Sequence, residues 1–454
     1  MGIEIGGSVQ SHIVGSTSNE GYMCGSFINL RILVVRAVAK HYRTLTLALA
    51  VVVSATLVTY GQGLPVAPPQ DLDLSPMALA RITPAMQAYL DSGKYAGAVL
   101  VIARHGKIGY SQSIGFMNLE KKIPMRTDAV FRIASMTKPI IAAAILKLVD
   151  KGKVRLDSPV AKYIPAFADL QVGSGGESMR ASHRLMNVED LLTHTSGLLG
   201  FGTPGHRKAL DTLSHPERTL NEYVDIIAKM PLTSSPGEKW DYSNIGYEVL
   251  GRIIEIASGL PLDRYLNEEI FTPLGMQETS FHFKPTMEGR IPLVYSQEMN
   301  GTILPLPQFG LDNYLPTNQF LSGGGGLLST AADYIRFSQM LLNGGQLDGK
   351  RILSHESVTS MMRNHLEPSL TPIITPIFDH QGYGYGLGGA VLVDPTLSGE
   401  LGSTGIFRWV GSVSTFFWID QKEDLIALLL TQSRTGGYQM ERSFQQLVYE
   451  AILR

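Results

Sequence analysis

The chain changes its hydrophobic pattern twice along its length. Residues 77–93 carry apolar positions three and four apart and predict a helix. The run AGAVLVIARHGKIGYSQSIGF (96–116) then predicts two apolar strands meeting at the turn His105-Gly106-Lys107. A long apolar helix, PIIAAAILKLVDKG, follows Ser135, and the middle of the chain, about 165–310, is rich in Pro and Gly with short helical patterns such as NIGYEVLGRIIEIASG. From about 383 the pattern returns to strands, GGAVLV, STFFWID and LIALLLTQ, and a helix over 438–453 closes the chain. Strands, then helices, then strands suit an α+β architecture in which the N- and C-terminal strands pair in one sheet with the helical region to one side. The expected division is a leader over 1–63, a linker over 64–76, a sheet domain from 77–165 and 311–454, and a mainly helical domain over 166–310. No internal repeat or low-complexity tract interrupts it.

Composition narrows the chemistry. At 454 residues with 44% hydrophobic and 17% charged residues, the chain can bury a sizeable core. A net charge of -2 and the lack of a long charge run offer no field to hold a phosphate backbone, so nucleic acid is not an expected partner. The single cysteine, Cys24, lies in the leader, which leaves the rest of the chain without a disulfide, a thiol nucleophile or a thiolate metal site. The run TLTLALAVVVSATLV (44–58) follows Arg31, Arg36, Lys40 and Arg43 and precedes YGQGLPVAPP, the order of a secretory signal. Its roughly 15 residues fall short of the ~20 that a spanning helix needs. Export to the periplasm or medium is the expectation, with a membrane anchor or a downstream start at Met23 as the alternatives.

Candidate chemistry begins at Ser135-Met136-Thr137-Lys138, the one Ser-x-x-Lys in the chain. At i,i+3 on a helix the hydroxyl and the amine share a face. Pro139 is tolerated only in a first turn, so the helix must start near Ser135, and the exposed N–H groups there favour negative charge on the serine and oppose a proton on the lysine. Alone, the motif also fits an N-capping serine beside a solvated lysine. Tyr242-Ser243-Asn244 follows a Pro-Gly turn and precedes an amphipathic helix. From such a loop a tyrosine could relay the serine proton, and an asparagine amide could hold Lys138 or a substrate amide. Tyr265-Leu266-Asn267 repeats the letters inside ordinary helix and is set aside as a decoy.

Together FRIASMTKP, PGEKWDYSN, LLTHTSGL (191–198) and GGGGLLSTAADYIRFSQMLLNGG (323–345) resemble the serine β-lactamase-like family over about 80–454. Class C β-lactamases, D-Ala-D-Ala carboxypeptidases and, closest, family VIII carboxylesterases are its kin here. The resemblance implies a penicillin-binding-protein-like fold, an antiparallel sheet flanked by helices plus a helical domain, with the active site between them. It also implies a third motif on a strand, whose backbone N–H completes an oxyanion hole. Ser403-Thr404-Gly405 and Trp409-Val410-Gly411 compete for that place. The distance to STFFWID favours the second, which makes the Ser412 N–H the donor by analogy. Trp409 offers no charge to a substrate carboxylate, as in the family VIII carboxylesterases.

His194 is read as structural, because no Gly-x-Ser-x-Gly elbow accompanies it. The glycines 323–326 lack a Gly-Lys-Ser/Thr and are read as a close backbone passage rather than a phosphate cradle. No metal-ligand spacing is present, and no cofactor is implied. The expected activity is hydrolysis of short-acyl carboxylic esters, with a small-molecule ester as the substrate. Ser135 is the nucleophile, Lys138 and Tyr242 are the general base and acid, and Asn244, Trp409, Gly411 and Ser412 line the substrate and oxyanion site. The alternatives are a β-lactamase or D-Ala-D-Ala carboxypeptidase, or a slow-turnover penicillin-binding sensor.

Overall fold

The computed structural model describes residues 63–173, 179–203, 213–375 and 378–453. The apolar run 44–58 and Cys24 lie outside the described residues, so the export expectation is not addressed by them. No helix among the described residues is long and apolar enough to cross a membrane.

The predicted hairpin is β1 (Gly97–Arg104) and β2 (Lys107–Asn118), with the short β3 (Ile123–Pro124) beyond it. Its turn places His105 at φ 53° and Gly106 at φ 72°, two left-handed residues in succession, as the twist of a two-residue hairpin loop demands. The late strands are β4 (Tyr383–Tyr385), β5 (Ala390–Leu392), β6 (Phe407–Gly411), β7 (Thr415–Asp420) and β8 (Leu425–Thr431). They join in one antiparallel sheet of order β4-β5-β6-β7-β8-β1-β2-β3. The last strand thus lies beside the first, in register from Ala98↔Thr431 to Arg104↔Leu425.

Helices cover both faces. Those that position the site or its support are α1 (Ile82–Asp91), α2 (Thr137–Asp150), α3 (Asn244–Ser258), α4 (Ala331–Leu342) and α5 (Gln439–Glu450). Neighbouring residues of β7 show the two layers: Phe417 meets Tyr334 of α4 edge-on at 5.0 Å, and Trp418 meets Phe444 of α5 edge-on at 5.5 Å. Successive strand residues point to opposite faces, so α4 and α5 lie on opposite sides. Strands β1, β7 and β8 are buried along their whole length. That explains their unbroken apolar runs, since a strand covered on both faces has no polar side. Each fully buried Leu, Ile or Phe in them contributes roughly 1.5–3 kcal/mol.

The helix predicted over 77–93 is two pieces, Pro76–Leu79 and Ile82–Asp91. Pro84 is the cause. In an unbroken helix its missing N–H would have been owed to the Ala80 carbonyl, whereas a restart at Ile82 puts the proline in a first turn, where no bond is lost. Between the two halves of the sheet the chain is mainly short helices, including Val188–Leu192, Leu220–Ile227, α3 and Leu262–Leu266. Tyr265-Leu266-Asn267 lies at the end of the last of these, with Tyr265 buried in the core. Helix α3 packs against α2, which brings the Tyr242-Ser243-Asn244 loop to the start of the helix that follows Ser135.

Candidate active site

A short strand, Val130–Arg132, pairs with Leu328–Thr330 and runs directly into Ser135. The reversal from strand to helix is made at Ala134, whose φ of 44° is left-handed. For a residue with a side chain this costs about 1–2 kcal/mol, and such strain persists only where the surroundings enforce it. A 3-10 turn, Ala134–Met136, then passes into α2 with Pro139 in the first turn, and Ser135 stands half-buried at the mouth of that helix. The turn is pinned from α4, where the Tyr334 hydroxyl donates to the Met136 carbonyl at 3.0 Å.

Lys138 is fully buried, and its Nζ has three partners. Asn244 Oδ1 and the Gly324 carbonyl each lie at 2.6 Å, and Ser135 Oγ lies at 3.1 Å. The first two can only accept, so they take N–H bonds whatever the lysine's charge. The serine hydroxyl can do either. A neutral amine therefore keeps its two donor bonds and turns its lone pair to the Ser135 proton. Burial pushes the Lys138 amine down from 10.5 to about 7, partly opposed by the charge of Glu248, so the neutral form is populated near neutral pH.

Tyr242 is set by the cap of α3. Ser243 is the N-cap: its Oγ accepts from the Gly246 N–H at 3.4 Å and donates to the Leu199 carbonyl at 2.7 Å. The residue before it faces the lysine, whose Nζ lies 4.8 Å from the Tyr242 ring centre, and the residue after it supplies Oδ1. Burial holds the Tyr242 phenol well above its usual range, with hydrogen bonds from the Ser135 and Trp409 side chains working the other way. Tyr242 thus rests as a neutral phenol, and of the two groups the lysine is the one able to take up a proton.

His194 is also brought here, beneath Tyr242 at 4.5 Å between ring centres. The Ser243 N–H donates to its Nδ1 at 3.1 Å, so in the neutral ring Nε2 carries the proton and donates to the Tyr385 hydroxyl, also at 3.1 Å. Tyr385 bonds on to Tyr247, which donates to the Leu192 carbonyl at 2.8 Å. Burial and the nearby lysine drive the imidazole well below its ordinary value, so it stays neutral and ties the aromatic floor together.

Opposite, the end of β6 touches the turn that carries Ser135. A Cβ on Gly411 would lie 2.5 Å from the Ile133 carbonyl and 2.2 Å from Thr415 Oγ1, which itself donates to that carbonyl at 3.2 Å. The residue after it, Ser412, is exposed, and its carbonyl accepts from Arg434 at 2.8 Å. Ser403-Thr404-Gly405 precedes β6 and so lies at its far end, a five-residue strand or roughly 17 Å away from Gly411. Trp409 differs from the picture of a residue open to ligand. Its side chain is 1% exposed, packed edge-on against Tyr385 at 5.0 Å and tilted against Tyr242 at 5.4 Å. It supports the tyrosine from behind, because β4, which carries Tyr385, covers that side.

On the other side of Gly324, Phe281, Asn313, Tyr314, Phe320, Ser322 and Gly325 line a cavity of about 210 Å³. Gly325 reaches the Ser135 turn, a Cβ there falling 3.6 Å from the Ala134 carbonyl carbon. Among the described residues no group of three His, Cys, Asp or Glu is placed to hold a metal ion.

Comparison with known proteins shows the family to which the chain belongs. The family model described as Beta-lactamase matches residues 82–449. The chain belongs to the beta-lactamase family. Protein Rv1367c of Mycobacterium tuberculosis is 35% identical over 353 residues, which is 75% of this chain and 87% of that one. Esterase EstB of Burkholderia gladioli is 31% identical over 385 residues, 81% of this chain and 93% of that one. The solved structure of EstCE1, described as a hydrolase with promiscuous acyltransferase activity, superposes with a TM-score of 0.71 at 24% identity, covering 82% of this chain and 99% of that one. The α+β fold is thus that of the beta-lactamases and penicillin-binding proteins, and the chain is a serine hydrolase of that fold.

In this beta-lactamase family member, sequence reasoning missed Tyr247, Glu248, Tyr385 and the Gly324 carbonyl. Two of them had a signal. Tyr247 and Glu248 lie three and four residues after Asn244, hence on the face of α3 that Asn244 turns to the lysine. Tyr385 comes from a distant segment, which spacing does not reveal, and the glycines 323–326 signal a close backbone passage at the cleft but not that the Gly324 carbonyl accepts from Lys138.

Proposed function

We propose that this protein hydrolyses short-acyl carboxylic esters through an acyl-enzyme on Ser135. The observation that carries the reading is the set of three partners around Lys138 Nζ, two of them acceptors and the third the Ser135 hydroxyl. As Oγ bonds to the ester carbonyl carbon, its proton passes to the Lys138 amine, directly or through Tyr242, and the carbonyl oxygen becomes an oxyanion. Backbone N–H groups of Ser135 and Ser412 receive that charge, the first aided by the N-terminal end of α2. Collapse breaks the bond to the alcohol oxygen, which leaves with the proton returned through Tyr242. A water then attacks the acyl carbon and gives its proton to the same pair, which pass it to Ser135 Oγ as the acyl–oxygen bond breaks, releasing the carboxylic acid and the free hydroxyl.

Three further observations support an ester with a short acyl group. The relative EstB is named an esterase. The cavity beside Gly325 is small and walled by Phe281, Tyr314 and Phe320. The third-motif strand turns an uncharged, enclosed Trp409 toward Tyr242 instead of a cation. One feature favours a second reading, a carboxylate-bearing β-lactam or peptide amide: Arg434 beside Ser412 supplies a guanidinium at the same loop. We also infer export of the protein from the apolar run 44–58 and the basic residues before it.

The test is steady-state hydrolysis of p-nitrophenyl acetate, butyrate and octanoate beside nitrocefin, with the Ser135→Ala variant as control. Acetate and butyrate turnover above octanoate and nitrocefin, abolished in Ser135→Ala, is the expected result. Dominant nitrocefin turnover selects the second reading, and activity that survives in Ser135→Ala overturns the nucleophile.

A further inference from the structure

Glu248 is a carboxylate on the apolar face of α3, 3% exposed. Burying it is strongly unfavourable unless it is fully hydrogen-bonded. Its partners are three donors from one short segment: Ser322 Oγ and the Gly323 N–H, each at 2.6 Å, and the Gly324 N–H at 3.2 Å. That segment runs hard against the helix. A Cβ on Gly324 would fall 2.8 Å from Glu248 Oε1 and 3.2 Å from the Asn244 Cβ, so a side chain there would push the segment off the carboxylate. The next atom group along the chain, the Gly324 carbonyl, is the one that accepts from Lys138 at 2.6 Å. The carboxylate thus holds the N–H of the residue whose carbonyl, in the next peptide unit, accepts from the lysine.

We propose that Glu248 is a positioning residue for the lysine: it fixes the Ser322–Gly324 backbone so that the Gly324 carbonyl holds Lys138 toward Ser135, and its buried charge opposes loss of the lysine's proton. The inference rests on the reading of Ser135 as nucleophile and Lys138 as base.

The other ionisable groups around the pair do not compete with it near neutral pH. Tyr242 and Tyr247 face the lysine at 4.8 and 5.4 Å from their ring centres, and His194 feels its charge. Tyr223, from the helix Leu220–Ile227, faces the carboxylate, and Tyr385 adjoins Tyr242 and Tyr247. Burial raises all four phenols and lowers the imidazole, so each stays neutral across the working range. Glu248 is pushed up from 4.5 to about 7 by burial, against the pull of its three donors and of Lys138. The glutamate and the lysine therefore titrate as a pair.

The experiment follows the rate of Ser135 labelling by a fluorophosphonate against pH, which needs no assumption about the natural substrate. Labelling in the parent is expected to rise along an acid limb as Lys138 loses its proton. In Glu248→Gln the limb is expected to move to lower pH by about one unit, the scale of one nearby buried charge. Glu248→Asp keeps the charge and shortens the reach, so its limb stays near the parent's while the plateau rate falls. Ser322→Ala, at a half-buried position, removes one donor, destabilises the carboxylate and moves the limb the same way by less. A parental limb in both Glu248→Gln and Ser322→Ala overturns the inference, and if Glu248→Gln does not fold, Ser322→Ala decides alone. Failure of the parent to label at Ser135 would instead strike the nucleophile reading.

Discussion

Gly411 carries no side chain because none fits. The hypothetical Cβ, 2.5 Å from the Ile133 carbonyl, would press on the turn whose left-handed Ala134 aims Ser135. Adding it would drive β6 away from that turn and carry the Ser412 N–H with it. Gly411→Ala is expected to leave the fold intact, since the strand can yield at its end, and, with the proposed Ser412 donor displaced, to slow acylation by about 10²–10³-fold, the usual effect of losing one oxyanion donor. Burst kinetics with p-nitrophenyl acetate measure it. A change confined to KM, with the burst rate unaltered, would mean that the close approach shapes the site without carrying the donor.

At the scale of elements, β6 divides its work by alternation. Arg408 points to α5, where it pairs with Glu441 and with Glu400. Trp409 and Gly411 point to the other face, toward Tyr242 and the Ser135 turn. Truncating Trp409 to Ala should cost about 3–5 kcal/mol as a buried aromatic lost, and should also lower the acylation rate because Tyr242 loses its backing. Urea denaturation and burst kinetics read the two effects separately, and full acylation in a destabilised variant would make Trp409 a packing residue alone. Much of this was legible in the sequence. Apolar runs located β1, β2, β7 and β8, Pro139 located the start of the helix after Ser135, and Pro-Gly followed by a helix pattern located the Tyr242 loop. What failed to show depends on contacts between distant segments. Letters alone placed Trp409 at a motif position without saying that Tyr385, 24 residues earlier on β4, would close over it. Glu248 was hidden in a helix repeat that looks amphipathic and regular. Only the glycine segment packed on that face identifies it as a buried acid.

For the whole molecule, the buried Glu248 and Lys138 near Ser135 make stability depend on pH in a direction that can be worked out. Glu248 ordinarily titrates at 4.5 and is held at about 7 in the fold. Between those values the folded protein binds more protons than the unfolded chain, so this group's contribution to stability falls as pH rises through the window. Lys138 is held at about 7 against an ordinary 10.5, so above neutrality the unfolded chain binds more protons, and its contribution rises with pH. Asp333, raised from 3.8 to about 6 by burial, acts in the same sense as Glu248 over a lower window. It is present in parent and variant alike and largely cancels from their difference. Glu248→Gln removes the glutamate's penalty and lowers the lysine further, and both effects favour the variant as pH rises from 4.5 to 7. The melting temperature of the variant relative to the parent is therefore expected to climb steadily over that range and to level off above it. A difference that stays flat from pH 4.5 to 7 would mean that Glu248 keeps an ordinary carboxylate's proton affinity inside the fold, with its three donors fully offsetting its burial.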